Sequence, residues 1–189
     1  MTIVPHAHNA SQASLVSQKT PHARRSEESE AVIFFAVARQ LFAIAADAVQ
    51  EIRSTDSIAG SASEIAELSV PKVRHTIERG PHLYFVVNAG VHFHLPVTRP
   101  TLVLVLRQFR VAVLVDRIEE MAEIPAVFNL PRAFTGDERR WYRGLAYVND
   151  HVIPVINPAG FISDSEFRLL DSATRRQSQP QHVEGVISA

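Results

Sequence analysis

Few residues in this chain have types and spacing suited to chemistry, and the pair that stands out is His92 and His94. Two positions apart on a strand, both imidazoles would face one side and could reach a single metal ion. With His75 or His82 they would begin a ligand set for a metal-dependent β-barrel enzyme. A glutamate a few positions further on would complete such a motif, but the chain there reads Leu95-Pro96-Val97-Thr98. The plainer alternative is two half-exposed strand histidines. The chain has no cysteine, which removes thiolate metal sites, cysteine nucleophiles and redox pairs. A Gly-x-Ser-x-Gly elbow and the phosphate-cradling glycine patterns are also absent. Carboxylates pair up at Glu64/Glu67, Glu119-Glu120 and Asp137-Glu138, each inside a polar run that reads as a solvated face. The last cluster, Arg139-Arg140-Trp141-Tyr142-Arg143, interleaves cations and aromatics. It suits stacking on single-stranded nucleic acid or, with Trp141 and Arg143 as anchors, a protein–protein interface. Nineteen basic against twenty acidic residues leave a formal charge of -1, which opposes nucleic-acid binding and a basic membrane patch alike.

The elements that must position these residues are mostly strands. The chain's 189 residues, 46% of them hydrophobic, suffice for one domain with tails. Apolar runs rich in Val, Ile and Phe at 31–38, 41–44, 83–88, 91–95, 101–106, 109–115, 143–148 and 151–156 predict short strands joined by turns, as in a barrel or sandwich. Asn149-Asp150 suits the positive φ of a tight hairpin. Ala89-Gly90 predicts another hairpin, between 83–88 and 91–95. Pro154 lacks an amide donor and predicts an edge strand or a bulge. Ala45, Ala48, Val49 and Ile52 recur at helical spacing and predict one short helix, with Asp47 and Glu51 on a different face. A weak repeat runs through the chain. Val37-Ala-Arg39-Gln40 is echoed by Val105-Leu-Arg107-Gln108, and Asp47-x-Val49-x-Glu51-Ile52 by Asp116-x-Ile118-x-Glu120-Met121. It predicts two similar small barrels packed together. Residues 1–30 lack periodicity and predict a disordered tail. Residues 166–189 predict a helical turn or two followed by a second tail. No apolar run reaches the length of a membrane span, and no signal pattern opens the chain, so the expected location is cytoplasmic.

Several of these pieces together resemble a known family. Val49-Gln50-Glu51-Ile52-Arg53 after an apolar hairpin, the run from Thr101 closing in Val115-Asp116, Leu130-Pro131 leading to Arg143-Gly144-Leu145, and the final strand into Ile162 are similar to the CheW-type domain. That domain belongs to chemotaxis coupling proteins and also forms the regulatory end of the histidine kinase CheA. The resemblance covers about 31–165. It implies a mainly β fold of two intertwined five-stranded SH3-like barrels with short helices, and a protein that is not an enzyme and needs no cofactor. The implied role is an adaptor between methyl-accepting chemoreceptor tips and the regulatory domain of a CheA-type kinase, recruited to membrane-bound receptor arrays without entering the membrane. The acidic residue of the Val-x-Glu-Ile motif, which falls on Glu51 beside Val49 and Ile52, implies the kinase surface. The groove near Gly90, Val113 and Val115 implies the receptor surface. The family pattern Gly-Val-x-Asn-Leu-Arg-Gly, then a strand ending Val-Ile-Asp-Leu, then a helical connection, is matched here to Phe85-Val86-Val87-Asn88-Ala89-Gly90. Alanine then stands where arginine belongs, and Arg79-Gly80 lies ahead of the strand, as in a diverged member.

Overall fold

The computed structural model describes residues 29–65 and 70–178, so the expected tails lie mostly outside the described residues. Strands β1 (Glu30–Val37), β2 (Gln40–Ala45), β9 (Arg117–Ile124), β10 (Tyr142–Val148) and β11 (His151–Ile156) form one sheet in the order β10-β11-β2-β1-β9. A second sheet has the order β3-β7-β8-β6-β5-β4. It contains β3 (Val49–Ser54), β4 (Ala62–Glu64), β5 (Val73–Arg79), β6 (His82–Asn88), β7 (Leu102–Leu106) and β8 (Val111–Val115). The mainly β architecture expected from the sequence is therefore present, with the three-residue β4 as a sixth strand in the second sheet.

The weak sequence repeat explains how the two sheets are interlocked. Each repeat is a hairpin, β1–β2 or β7–β8, followed by a strand that crosses into the other sheet. Thus β3 leaves its own hairpin to pair antiparallel with β7, and β9 leaves its hairpin to pair antiparallel with β1. Both crossing strands carry a register shift at the equivalent place, between Val49 and Glu51 and opposite Phe34/Phe35. Neither repeat has a complete sheet without the other, so the two cannot be separate domains.

Uninterrupted apolar runs arise because strands are covered on both faces. In β1, Val32 and Phe34 face a small core inside the first sheet, while Ile33, Phe35 and Val37 face a large core shared by both sheets. In β7, Leu104 and Leu106 face that shared core, and Val103 and Val105 face a third cluster with Ile77, Tyr84 and Val86. Burying one such Phe or Leu contributes roughly 1.5–3 kcal/mol.

Two local expectations are corrected. The helix over 45–52 is a single 3-10 turn, Ala46–Ala48, followed by strand β3. Four apolar residues in eight positions fit either period, and the ladder offered by β7 decides between them. The hairpin at Ala89-Gly90 does not form either. Asn88 Oδ1 accepts from the Val91 amide at 3.2 Å, and Phe93 N–H donates to Ala89 O, so the chain turns into a short helix, α2 (Ala89–His92). The antiparallel neighbour of β6 is instead β5, joined through Gly80-Pro81 with Gly80 at φ +55. Pro154 lies on β11, which is not an edge strand, but it stands beside the bulge of β10 between Tyr142 and Gly144, the second of its expected settings. The second neighbour of β11, β2, engages it at one register position only, Val155↔Ala43, so no long ladder demands the missing amide. The expected turn at Asn149-Asp150 is present, with φ of 47° and 63°.

The C-terminal helix, expected over one or two turns, runs as α4 (Asp164–Ser178) and buries Leu170 and Ala173 in the shared core. A short α3 (Glu138–Trp141) precedes β10, and α1 (Thr55–Ile58) follows β3. The approach of β10 to the segment before α3 is tight. Phe128 and Leu145 exchange two backbone hydrogen bonds of 2.8 Å, and a Cβ on Gly144 would sit 2.4 Å from Phe128 O and 2.5 Å from Val127 Cγ1. Gly144→Ala is expected to destabilise the domain by about 1–3 kcal/mol. A thermal melt checks this, and an unchanged midpoint would mean that the 126–128 segment shifts freely.

Candidate functional site

Two places concentrate polar side chains on this apolar frame. The first is edge strand β3. Glu51 and Arg53 project on the side of Val105 and Val103, opposite to Val49, which is buried in the shared core. The Glu51 carboxylate forms ion pairs with Arg79 and, at 3.6 Å, with Arg53. Arg79 is the last residue of β5, so this cluster ties edge strand β3 to a strand four places away in the same sheet. Its Nη1 is buried, with the Glu51 carboxylate against it. Ile52, beside Glu51, is 38% exposed, and its repeat counterpart Met121 on edge strand β9 is 66% exposed. Each crossing strand thus presents one solvent-facing apolar side chain next to a glutamate.

Arg79-Gly80 forms the turn into a strand that ends Val86-Val87-Asn88, and a helical connection, α2, follows. The interval from 94 to 101 is short only because α2 already supplies the connection.

The second place is a cleft of about 460 Å³ where α2, α3 and the start of α4 converge. His92 lies on α2 and His94 follows it with φ +56, so the two do not sit on a strand. Their rings nevertheless flank the same Trp141 ring, with centroids at 4.8 and 5.5 Å. His92 is only 3% exposed, and burial, with Lys72 nearby, pushes its pKa down to about 3, so the ring is neutral. Lys72 Nζ lies 2.9 Å from the Glu166 carboxylate. Glu166 also accepts from Ser163 N–H at 2.8 Å and thereby caps α4. Burial alone would raise its pKa, but the Ser163 amide and Lys72 hold it below the ordinary carboxylate value. Burial pushes Tyr142, at the back of this aromatic cluster, up to about 12.

The remaining expected site residues fall in different environments. Val113 and Val115 are completely buried in the shared core, and Gly90 is buried under Val37, so none of them offers a side-chain surface. The accessible residue at that turn is Val91, 40% exposed. Trp141 and Arg143 diverge: Trp141 walls the cleft, while Arg143 forms an ion pair with Glu30 at the start of β1. The basic–aromatic run is not an open cationic strip, because Arg139 donates to Phe134 O, Arg140 pairs with Asp137 and Arg143 with Glu30. His75 and His82 lie on β5 and β6, and no cluster of three or more metal-ligating side chains occurs among the described residues. The metal-enzyme reading therefore has no ligand set here. The Arg79–Glu51 tie and the cleft were missed from sequence. The Gly80-Pro81 turn between two apolar-patterned runs was the available signal for the first.

No described helix is long and apolar enough to cross a membrane. The family model of the CheW-like domain matches residues 31–166. Among solved structures, the chain is similar to the scaffolding protein TtCheW from Thermoanaerobacter tengcongensis. The two share 16% identity with a TM-score of 0.60, over 77% of this chain and 96% of that one. No curated protein matches the chain in sequence.

Proposed function

This chain belongs to the CheW-like domain family, and from that premise we propose that it is a non-catalytic adaptor in a chemotaxis-type signalling pathway. The adaptor domain spans about 31–165 and works in the cytoplasm, where membrane-bound receptor arrays recruit it. Its partners are the regulatory domain of a CheA-type histidine kinase and a methyl-accepting chemoreceptor tip.

The observation that carries the kinase contact is the edge of β3, where Ile52 stands exposed on one face and the Glu51–Arg53–Arg79 cluster lies on the other. An exposed apolar residue on an open sheet edge, with charged neighbours along the strand, suits a protein–protein contact. For the receptor tip, Val91 is the accessible residue at the Gly90 turn. Control of the kinase then follows from population shift: the adaptor favours whichever kinase arrangement it binds more tightly.

Calorimetric titration with the regulatory domain of a kinase from the same genome tests this. Saturable binding with a micromolar Kd, roughly -8 kcal/mol, is expected. Ile52→Asp should weaken it at least about tenfold with the fold unchanged, since it places a charge in the desolvated contact. Wild-type affinity in Ile52→Asp would exclude the β3 edge, and absence of any binding would exclude the kinase as partner.

A further inference from the structure

The cleft at α2, α3 and α4 carries a recognition chemistry that the adaptor reading does not use. Part of its wall is aromatic, formed by Trp141 with the His92 and His94 rings near it. Its polar groups are unevenly satisfied. The two cations lining it are each covered by a carboxylate, Lys72 by Glu166 and Arg140 by Asp137. Asp164, also on the lining, forms no ion pair with a described cation, although Arg168 Nε donates to its backbone carbonyl at 3.2 Å. His92 is more decisive. Although 97% of its surface is covered, its ring makes no hydrogen bond with any described residue, and it lines the cleft. A neutral imidazole keeps one ring nitrogen as an acceptor, and because no His92 nitrogen is both fully covered and unpaired, that acceptor is reachable from solvent.

We propose that this cleft binds a guanidinium group, stacked on Trp141 and donating to the His92 ring and the Asp164 carboxylate. The cleft's volume lies in the range of small-ligand sites. With both lining cations already paired and Asp164 in excess, the cleft favours a cation over an anion. A planar cation gains from the aromatic wall, and five N–H donors in a fixed plane match scattered acceptors better than a compact ammonium does. Such a group arrives either as an arginine side chain within a polypeptide or as a free arginine-type metabolite. The assignment is independent of the kinase contact proposed above, but Val91, assigned there to the receptor tip, also lines the cleft, so the two occupants would meet at one place.

Trp141 is the chain's single tryptophan, so its emission reports on this cleft alone. The experiment titrates the full chain with N-acetyl-arginine amide, free L-arginine and N-acetyl-lysine amide, reading Trp141 emission and heat together. Saturation by an arginine compound with a millimolar or tighter Kd is expected, and the stronger of the two arginine ligands identifies the source. Asp164→Asn, on the exposed start of α4, should weaken binding about three- to tenfold. His94→Ala should weaken it through the lost ring face while circular dichroism stays unchanged. Equal binding of the lysine amide, or no saturable change with either arginine compound, overturns the proposal.

Discussion

As pH falls from 6.5 toward 3, the domain is expected to lose up to about 1.4 kcal/mol of stability per pH unit through His92 alone. The folded-state pKa lies near 3 and the unfolded value near 6.5. Between the two, the unfolded chain binds a proton that the native ring refuses. Stability is therefore full above the unfolded value and declines as pH drops through the interval. The groups around the ring do not rescue the charge. Lys72 and His94 oppose it, and Glu166 and Asp137 offset only part of the burial cost. Glu166 works in the same sense but in a lower window, because its own pKa lies below the ordinary 4.5. Urea unfolding at pH 7 and at pH 5 thus isolates His92, and a difference of about 2 kcal/mol is expected. In His92→Phe, which keeps an apolar ring in the site, that difference should largely vanish. Equal pH dependence in both proteins would mean that His92 is solvated.

Replacing Glu51 by lysine is expected to destabilise the domain by about 2–4 kcal/mol, before any partner is involved. The sequence alone suggests a surface carboxylate that could be reversed without consequence for folding. The fold instead sets it against Arg79, whose Nη1 is buried, and close to Arg53. Lysine there would bring three cations together and leave the buried guanidinium nitrogen unpaired. Glu51→Gln should cost less, since the amide oxygen still accepts a hydrogen bond. Loss of kinase binding in Glu51→Lys must therefore be read with its denaturation midpoint. If its stability equals that of the wild type, the Arg79 tie contributes nothing to the stability of the second sheet. Ile52→Asp, which leaves the ion cluster intact, is the cleaner probe of the interface.

Much of the fold was legible because its signals are local. Apolar runs flanked by turn residues gave most strands, and the Asn149-Asp150 turn was read from the two residues that form it. The repeat, short as it is, reported the double architecture, since each copy encodes the same hairpin and crossing strand. The CheW-type motifs pointed to the family. What local pattern could not carry was the choice of neighbour. Strand β6 looks equally ready to pair with 91–95 or with β5, and only the Asn88 cap and the parallel ladder to β8 exclude the former. Val49 to Ile52 fits helix and strand alike until β7 supplies hydrogen-bond partners.

The same division holds for the candidate site. Sequence determined which residues are chemically able: Glu51 in its motif, the two histidines, the Trp141 cluster and the absence of thiols. Tertiary structure decided what each of them does. It joined Glu51 to Arg79 across the second sheet, and it buried Val113 and Val115 beyond reach of a partner. It also turned His92 from a strand position into the neutral wall of a cleft with Trp141, far along the chain. Side-chain type is fixed residue by residue, whereas burial, pairing and protonation depend on which distant segments meet. Those meetings are set by the balance of the whole core.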